Sequence, residues 1–147
     1  MGEAAVSDPT GLLVAAVVLV AATVFGLVRV RRDGRLRDTA QGDVLRLSSG
    51  ELGVTLGERA TLVQFSTALC ATCPGTRRLL AGVADGTPGV RHVEIDAETR
   101  LELVRRFEVM RTPTVLVLDR TGRVVRRASG APTRADVVSA VELAAAV

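Results

Sequence analysis

The chain has no Trp, no Tyr, no Lys and only three Phe in 147 residues, with one His and two Cys. Each shortage excludes something. With aromatics at 2% of residues, the core must be aliphatic, and there is no set of rings on which nucleic-acid bases could stack. A net charge of +3 and a pI near 10 would otherwise suggest such a partner. However, Arg29, Arg31, Arg32, Arg35 and Arg37 crowd one nine-residue stretch, and from residue 39 onward 14 Arg are set against 12 Asp and Glu. A nearly neutral remainder without a basic face reads as a protein that does not bind nucleic acid. That all 19 basic residues are Arg, amid abundant Ala, Val and Gly, fits a compositional bias of the genome better than a functional device. Two Cys and the lone His92 also fall short of the four ligands that a structural zinc site needs, unless two chains share the metal.

Long runs without charge are rare in a soluble chain of this size, and this one has such a run. No residue between Asp8 and Arg29 is charged, and residues 11–28 read GLLVAAVVLVAATVFGLV, apolar on every side. At 1.5 Å rise per residue, the stretch from Pro9 to Val28 spans about 30 Å, the thickness of a bilayer's hydrocarbon core. A cleaved signal peptide is the competing reading. Against it, the leading segment carries Glu3 and Asp8 but no base, the apolar run is long for a signal core, and arginines rather than a small-residue cleavage site follow. We read the run as a retained single-pass anchor in the cell membrane. The arginines on its trailing flank place the rest of the chain in the cytoplasm by the positive-inside rule, an extracytoplasmic placement being the alternative. Arg29 to Arg32 also suit anionic headgroups. The expected organisation is a short tail (1–10), a transmembrane helix (11–30), a basic linker (31–43, with 33–43 lacking apolar periodicity) and one folded domain (44–147). Hydrophobic residues at 48% and charged residues at 24% suit a packed globule of about 100 residues plus an apolar segment.

Within that domain, short apolar runs alternate with amphipathic stretches, which predicts a mixed sheet flanked by helices. Residues 44–47 suggest a short edge strand, and 51–56 a helical turn or irregular lead-in. Thr61 to Ser66 reads as a buried strand. A helix is expected from about Ala71 to Ala84, with Leu79, Leu80 and Val83 inward, ended by Gly86-Thr87-Pro88-Gly89. Val90 to Asp96 alternates as a strand, and Glu98 to Phe107 as a short helix with Leu101, Val104 and Phe107 inward. Thr114 to Leu118 and Arg123 to Ala128 form a hairpin around the turn 119–122. Thr133 is expected to cap a last helix that packs through Val137, Val138, Val141 and Leu143. The order is β-α-β-α-β-β-α.

Both cysteines fall in Cys70-Ala71-Thr72-Cys73, between a buried strand and the start of a helix. A thiolate at a helix N-terminus meets unpaired N–H groups and the positive end of the dipole, so its pKa falls from about 8.5 toward neutrality. Cys70 is then the attacking thiolate. Cys73, one turn on, lies within disulfide reach and can displace a substrate from a mixed disulfide. Pro74 is tolerated because first-turn amides have no helical acceptor. Competing uses of the pair are weaker. A structural disulfide closing so short a loop stabilises little, and two vicinal thiolates could hold Cu(I). His92 reads as an ordinary strand residue. Pro113 precedes an apolar strand, where it need not donate to a ladder; from the residues alone its peptide bond could be cis or trans.

The segments Val63-Gln64-Phe65-Ser66-Thr67-Ala68-Leu69-Cys70-Ala71-Thr72-Cys73, Val93-Glu94-Ile95-Asp96 and Phe107-Glu108-Val109-Met110-Arg111-Thr112-Pro113-Thr114, followed by Gly122 and Gly130, resemble the thioredoxin family in order and spacing over residues 44–146. The resemblance implies an α/β thioredoxin-like fold, here preceded by the one transmembrane helix. It implies a cis Pro113 packed against the disulfide and a Thr112 whose backbone pairs with a substrate chain, so that Thr112, Pro113 and Leu69 are the expected substrate-binding residues. Three departures stand out. Leu69 replaces the Trp before the first Cys, the motif interior is Ala71-Thr72, and Gln64 falls where the family has a buried Asp that manages the resolving thiol's proton. Gln does not titrate, so base assistance to Cys73 must be weak or come from water. The expected function is a thiol-disulfide oxidoreductase without cofactor or metal. It would act on protein disulfides, as a reductant on a cytoplasmic face, and draw on an electron donor that no feature names. The alternative is a non-catalytic binding module or Cu(I) carrier at the membrane.

Overall fold

The computed structural model describes residues 9–32, 34–38 and 45–147. The tail before Pro9, Asp33 and residues 39–44 lie outside the described residues, and with them part of the expected tail, linker and first edge strand. The chain divides into two compact units, up to Arg32 and from Asp33 onward.

The first unit is helix α1 (Pro9–Arg32), two residues longer at each end than the span 11–30. Pro at its first position is preset for a helix and forfeits only an amide that had no acceptor. Thr23, a polar residue within the apolar run, donates its hydroxyl to Leu19 O at 2.7 Å and so is satisfied inside the helix. Leu12, Val17, Leu19 and Phe25 are all exposed, and Pro9 to Arg29 is long and apolar enough to cross a membrane.

The second unit is a sheet between helices. Its elements run β1 (Arg37–Asp38), α2 (Ser49–Leu52), β2 (Ala60–Ser66), α3 (Cys73–Asp85), β3 (Val90–Asp96), α4 (Leu101–Arg106), β4 (Thr114–Asp119), β5 (Val124–Ser129) and α5 (Arg134–Ala145). The strands lie in the order β1-β5-β4-β2-β3. β2 and β3 are parallel, joined through α3, whereas β4 is antiparallel to both β2 and β5. β2 and β4 are central and buried throughout, which is why both read as near-continuous apolar runs.

Strand alternation sends side chains to two cores. Leu62, Val115 and Val117 meet Leu80 and Val83 of α3 and Val137, Ala140, Val141 and Ala144 of α5 on one face. Val63, Phe65, Ile95, Leu116 and Leu118 meet Leu103, Phe107, Leu47 and Leu52 on the other. Phe65 and Phe107 approach with ring centroids 6.4 Å apart, and the Arg106 guanidinium lies 5.2 Å over the Phe107 ring.

Several expectations are corrected. The stretch 33–43, read as linker, contributes Arg37 and Asp38 as an edge pair on Arg127 and Arg126 of β5. The edge strand at 44–47 reduces to a single bridge between Arg46 and Arg123, flanked by Val124 N–H to Leu45 O and Leu47 N–H to Gly122 O. The helical turn expected at 51–56 is α2, which lies earlier, at Ser49–Leu52, because a capping box in which Ser48 and Glu51 exchange hydrogen bonds starts it; 53–56 follow as an irregular lead-in. In α4 Val104 and Phe107 pack into the core as expected, but the helix begins at residue 101 rather than 98, and Leu103 rather than Leu101 is buried beside them. In α5 Val138 and Leu143 are exposed, and the stripe is completed by Ala140 and Ala144, whose small side chains let the helix lie close to the sheet. Thr133 does cap α5, accepting from Asp136 N–H.

Candidate functional site

β2 ends at Ser66 and α3 begins at Cys73, so residues 67–72 form a turn over the end of the sheet. Cys70 N–H bonds to Thr67 O, and Cys73 N–H to Cys70 O, each at 3.3 Å. The helix starts two residues later than Ala71. Cys70 therefore stands in the turn that leads into α3, Thr72 is the N-cap residue, and Pro74 occupies the first turn. Cys70 and Cys73 are joined as a disulfide with Cα atoms 5.4 Å apart. Cys70 is half-buried, while Cys73 is 2% exposed. Cys70 keeps part of its surface exposed; Cys73 is covered by the fold. The Thr72 hydroxyl lies 3.8 Å from the Cys70 sulfur.

The antiparallel register sets Phe65 of β2 opposite Thr114 of β4. This brings the residues just before β4 alongside those just after β2. There the Thr112–Pro113 peptide is cis and Pro113 is buried. The Thr67 and Thr112 hydroxyls meet at 3.2 Å and join the two loops. Pro113 O accepts from Gly130 N–H at 2.7 Å, with Gly130 at φ 107°, where an L side chain would be strained. Thr114 donates its hydroxyl to Arg111 O at 2.7 Å. Of the residues singled out by sequence, Cys70, Cys73, Thr112 and Pro113 are thus held in adjoining turns. Leu69 is 95% exposed beside Cys70.

Sequence reasoning missed two further features. Thr67 carries the hydroxyl bridge to Thr112; its signal was a polar residue directly after a buried strand. Met110 is 90% exposed three residues before Pro113. An apolar residue lying outside both flanking apolar stripes could have marked it.

Beneath the disulfide, Gln64 is completely buried. Its Nε2 donates to Cys73 O at 3.1 Å, whereas its Oε1 finds no donor. Thr76, also buried, donates its hydroxyl to Thr72 O at 3.2 Å. Arg77 of α3 forms a two-pronged ion pair with Glu94 of β3, at 2.6 Å from Nε and 2.9 Å from Nη2, and Ser66 donates its hydroxyl to the same carboxylate. Burial pushes the Glu94 carboxyl up, but the bonds from Arg77 and Ser66 outweigh it and hold the pKa below the ordinary value. This network fastens the first half of α3 to the sheet. His92, on the same face of β3, has its pKa lowered by burial, and its Nε2 has no partner. No group of three or more His, Cys, Asp or Glu able to hold a metal occurs among the described residues.

No protein-family model matches the sequence, and no curated protein matches it. Solved structures do match. A thioredoxin-2 that is a component of the malaria parasite's protein secretion machinery aligns over 63% of this chain and 90% of its own, at 16% identity and a TM-score of 0.54. A mutant thioredoxin from Halobacterium salinarum aligns over 60% and 76%, at 17% identity and 0.54. The Fasciola hepatica thioredoxin aligns over 65% and 86%, at 20% identity and 0.52. These likenesses show the fold.

Proposed function

We propose that this thioredoxin-fold chain catalyses thiol-disulfide exchange on protein disulfides, with Cys70 as nucleophile and Cys73 as resolving thiol. The observation that carries the reading is the Cys70–Cys73 disulfide at the strand-to-helix turn, with Cys70 partly exposed and Cys73 covered. In the reduced chain, the Cys70 thiolate is favoured by the amides and dipole at the start of α3. It attacks one sulfur of a substrate disulfide, forming a mixed disulfide as the first substrate thiolate leaves. Cys73 then attacks the Cys70 sulfur, the mixed bond breaks, and the second substrate thiolate departs. Two electrons have passed from the dithiol to the substrate, and a dithiol donor must restore the chain.

Thr112 offers its backbone to an extended substrate segment beside the buried Pro113, and Leu69 gives that segment an apolar contact next to the attacking sulfur. α1 holds the chain in the membrane. With its arginines on the trailing flank, the catalytic unit faces the cytoplasm, where the thiol pool favours work as a reductant.

Reduction of insulin by the full-length chain in detergent, with dithiothreitol as donor, tests the chemistry. Turnover is expected for the parent and should fall at least about 100-fold in Cys70→Ser. A Cys70→Ser chain as active as the parent would overturn the assignment. Reporter fusions at the carboxyl terminus test the orientation.

A further inference from the structure

Gln64 is a fully buried amide with one end occupied and the other not. The Cys73 carbonyl can only accept, so it fixes the amide's orientation, with Nε2 toward it and Oε1 as the free acceptor. A buried acceptor without a donor is unfavourable. The buried Thr76 hydroxyl of α3 is committed to Thr72 O. In the disulfide state Cys73 has no proton to offer; on reduction it gains an Sγ–H, in the residue whose backbone Gln64 already grips.

We propose that Gln64 is a positioning residue for the redox couple, its Oε1 accepting a hydrogen bond from the Cys73 thiol in the reduced chain. The inference rests on the reading of Cys70 and Cys73 as a dithiol-disulfide pair. Reduction then satisfies an acceptor that oxidation orphans, so the amide favours the dithiol over the disulfide. An amide oxygen does not take the proton. When Cys73 attacks the mixed disulfide, its proton therefore passes to water, the Cys70–substrate S–S bond breaks, and the departing substrate thiolate takes up a proton. Gln64 thus holds the resolving thiol in place and in its neutral form, without acting as its base.

The test compares full-length parent, Gln64→Met and Gln64→Glu chains by equilibrium with dithiothreitol redox buffers. The S–H stretching band of each is also recorded in a reduced Cys70→Ser background, where Cys73 carries the sole thiol. In Gln64→Met the equilibrium constant for reduction is expected to fall about tenfold, equivalent to about 30 mV in the reducing direction for a two-electron couple, and the S–H band to shift to the position of an unbonded thiol. In Gln64→Glu the neutral carboxyl offers the same acceptor together with a hydroxyl for Cys73 O. It should reproduce the parent at pH below its own burial-raised pKa and depart from it above.

A folded Gln64→Met chain with unchanged band and potential would overturn the proposal. If that chain does not fold, a Gln64→Glu chain whose potential shows no pH dependence beyond the parent's would do so. Insulin reduction by the parent separates the two readings. An inactive parent with a bonded S–H band defeats the enzyme and keeps Gln64 in its role, while an active parent with an unbonded band does the reverse.

Discussion

The hydroxyl pair Thr67–Thr112 is the direct link between the turn that carries the cysteines and the turn that carries Pro113, and its strength can be predicted. Both residues are half-buried and their oxygens lie 3.2 Å apart. A neutral hydrogen bond of this kind contributes about 1 kcal/mol net, and removing one partner leaves the other short of a bond. Val is nearly isosteric with Thr, so the substitutions alter chemistry more than shape. Thr67→Val and Thr112→Val should each cost about 1 kcal/mol, and the double variant little more than either alone, leaving a coupling of about 1 kcal/mol. In a domain of this size each single variant should unfold about 4 °C below the parent. Urea unfolding of the four full-length chains, read at pH 7, closes the cycle. If the two single costs add to within about 0.3 kcal/mol of the double, the hydroxyls are not joined and the two loops are held together by packing alone.

Three other outcomes follow from the same structure. Cys73→Ser should stop at the mixed disulfide, so a covalent substrate adduct through Cys70 accumulates on non-reducing gels; free turnover without adduct would contradict Cys73 as the resolving thiol. Asp119 accepts from Thr121 N–H, the Thr121 hydroxyl, Arg123 N–H and Arg123 Nε. Burial pushes its carboxyl up, but these bonds outweigh that and lower its pKa. Its stabilisation is therefore present above the ordinary Asp pKa and lost as pH falls through the lowered folded value. Asp119→Asn should cost about 2 kcal/mol at pH 7 and flatten the acid limb of the stability profile in urea titrations. Leu103→Ala should cost about 2–4 kcal/mol, whereas Leu101→Ala, at 51% exposure, should cost less than about 0.5 kcal/mol; equal costs would show that α4 turns another face to the core.

What could be read from sequence was what local chemistry dictates. β-branched and apolar runs marked β2, β3 and β4, and the Thr133–Asp136 cap marked the start of α5. The charge-free run marked α1. Periodicity failed where the inward stripe is made of alanines, as at Ala140 and Ala144. It also failed in α4, where a short helix begins three residues later than its apolar pattern suggested. Arg37 and Asp38 looked like linker because a two-residue edge strand has no pattern of its own; their pairing depends on β5, some 90 residues away.

By itself, the amino-acid order determined the cysteine spacing, the strand-to-helix setting of the pair and the apolar helix α1, because each is written in contiguous residues whose propensities act over one or two turns. Tertiary structure alone decided that Cys73 is covered while Cys70 stays partly exposed, that Thr67 reaches Thr112 across 45 positions, and that Gln64 grips the Cys73 backbone with its oxygen left over. These depend on the antiparallel register of β2 on β4 and on the seating of α3 against the sheet, which bring together groups that no local preference could pair.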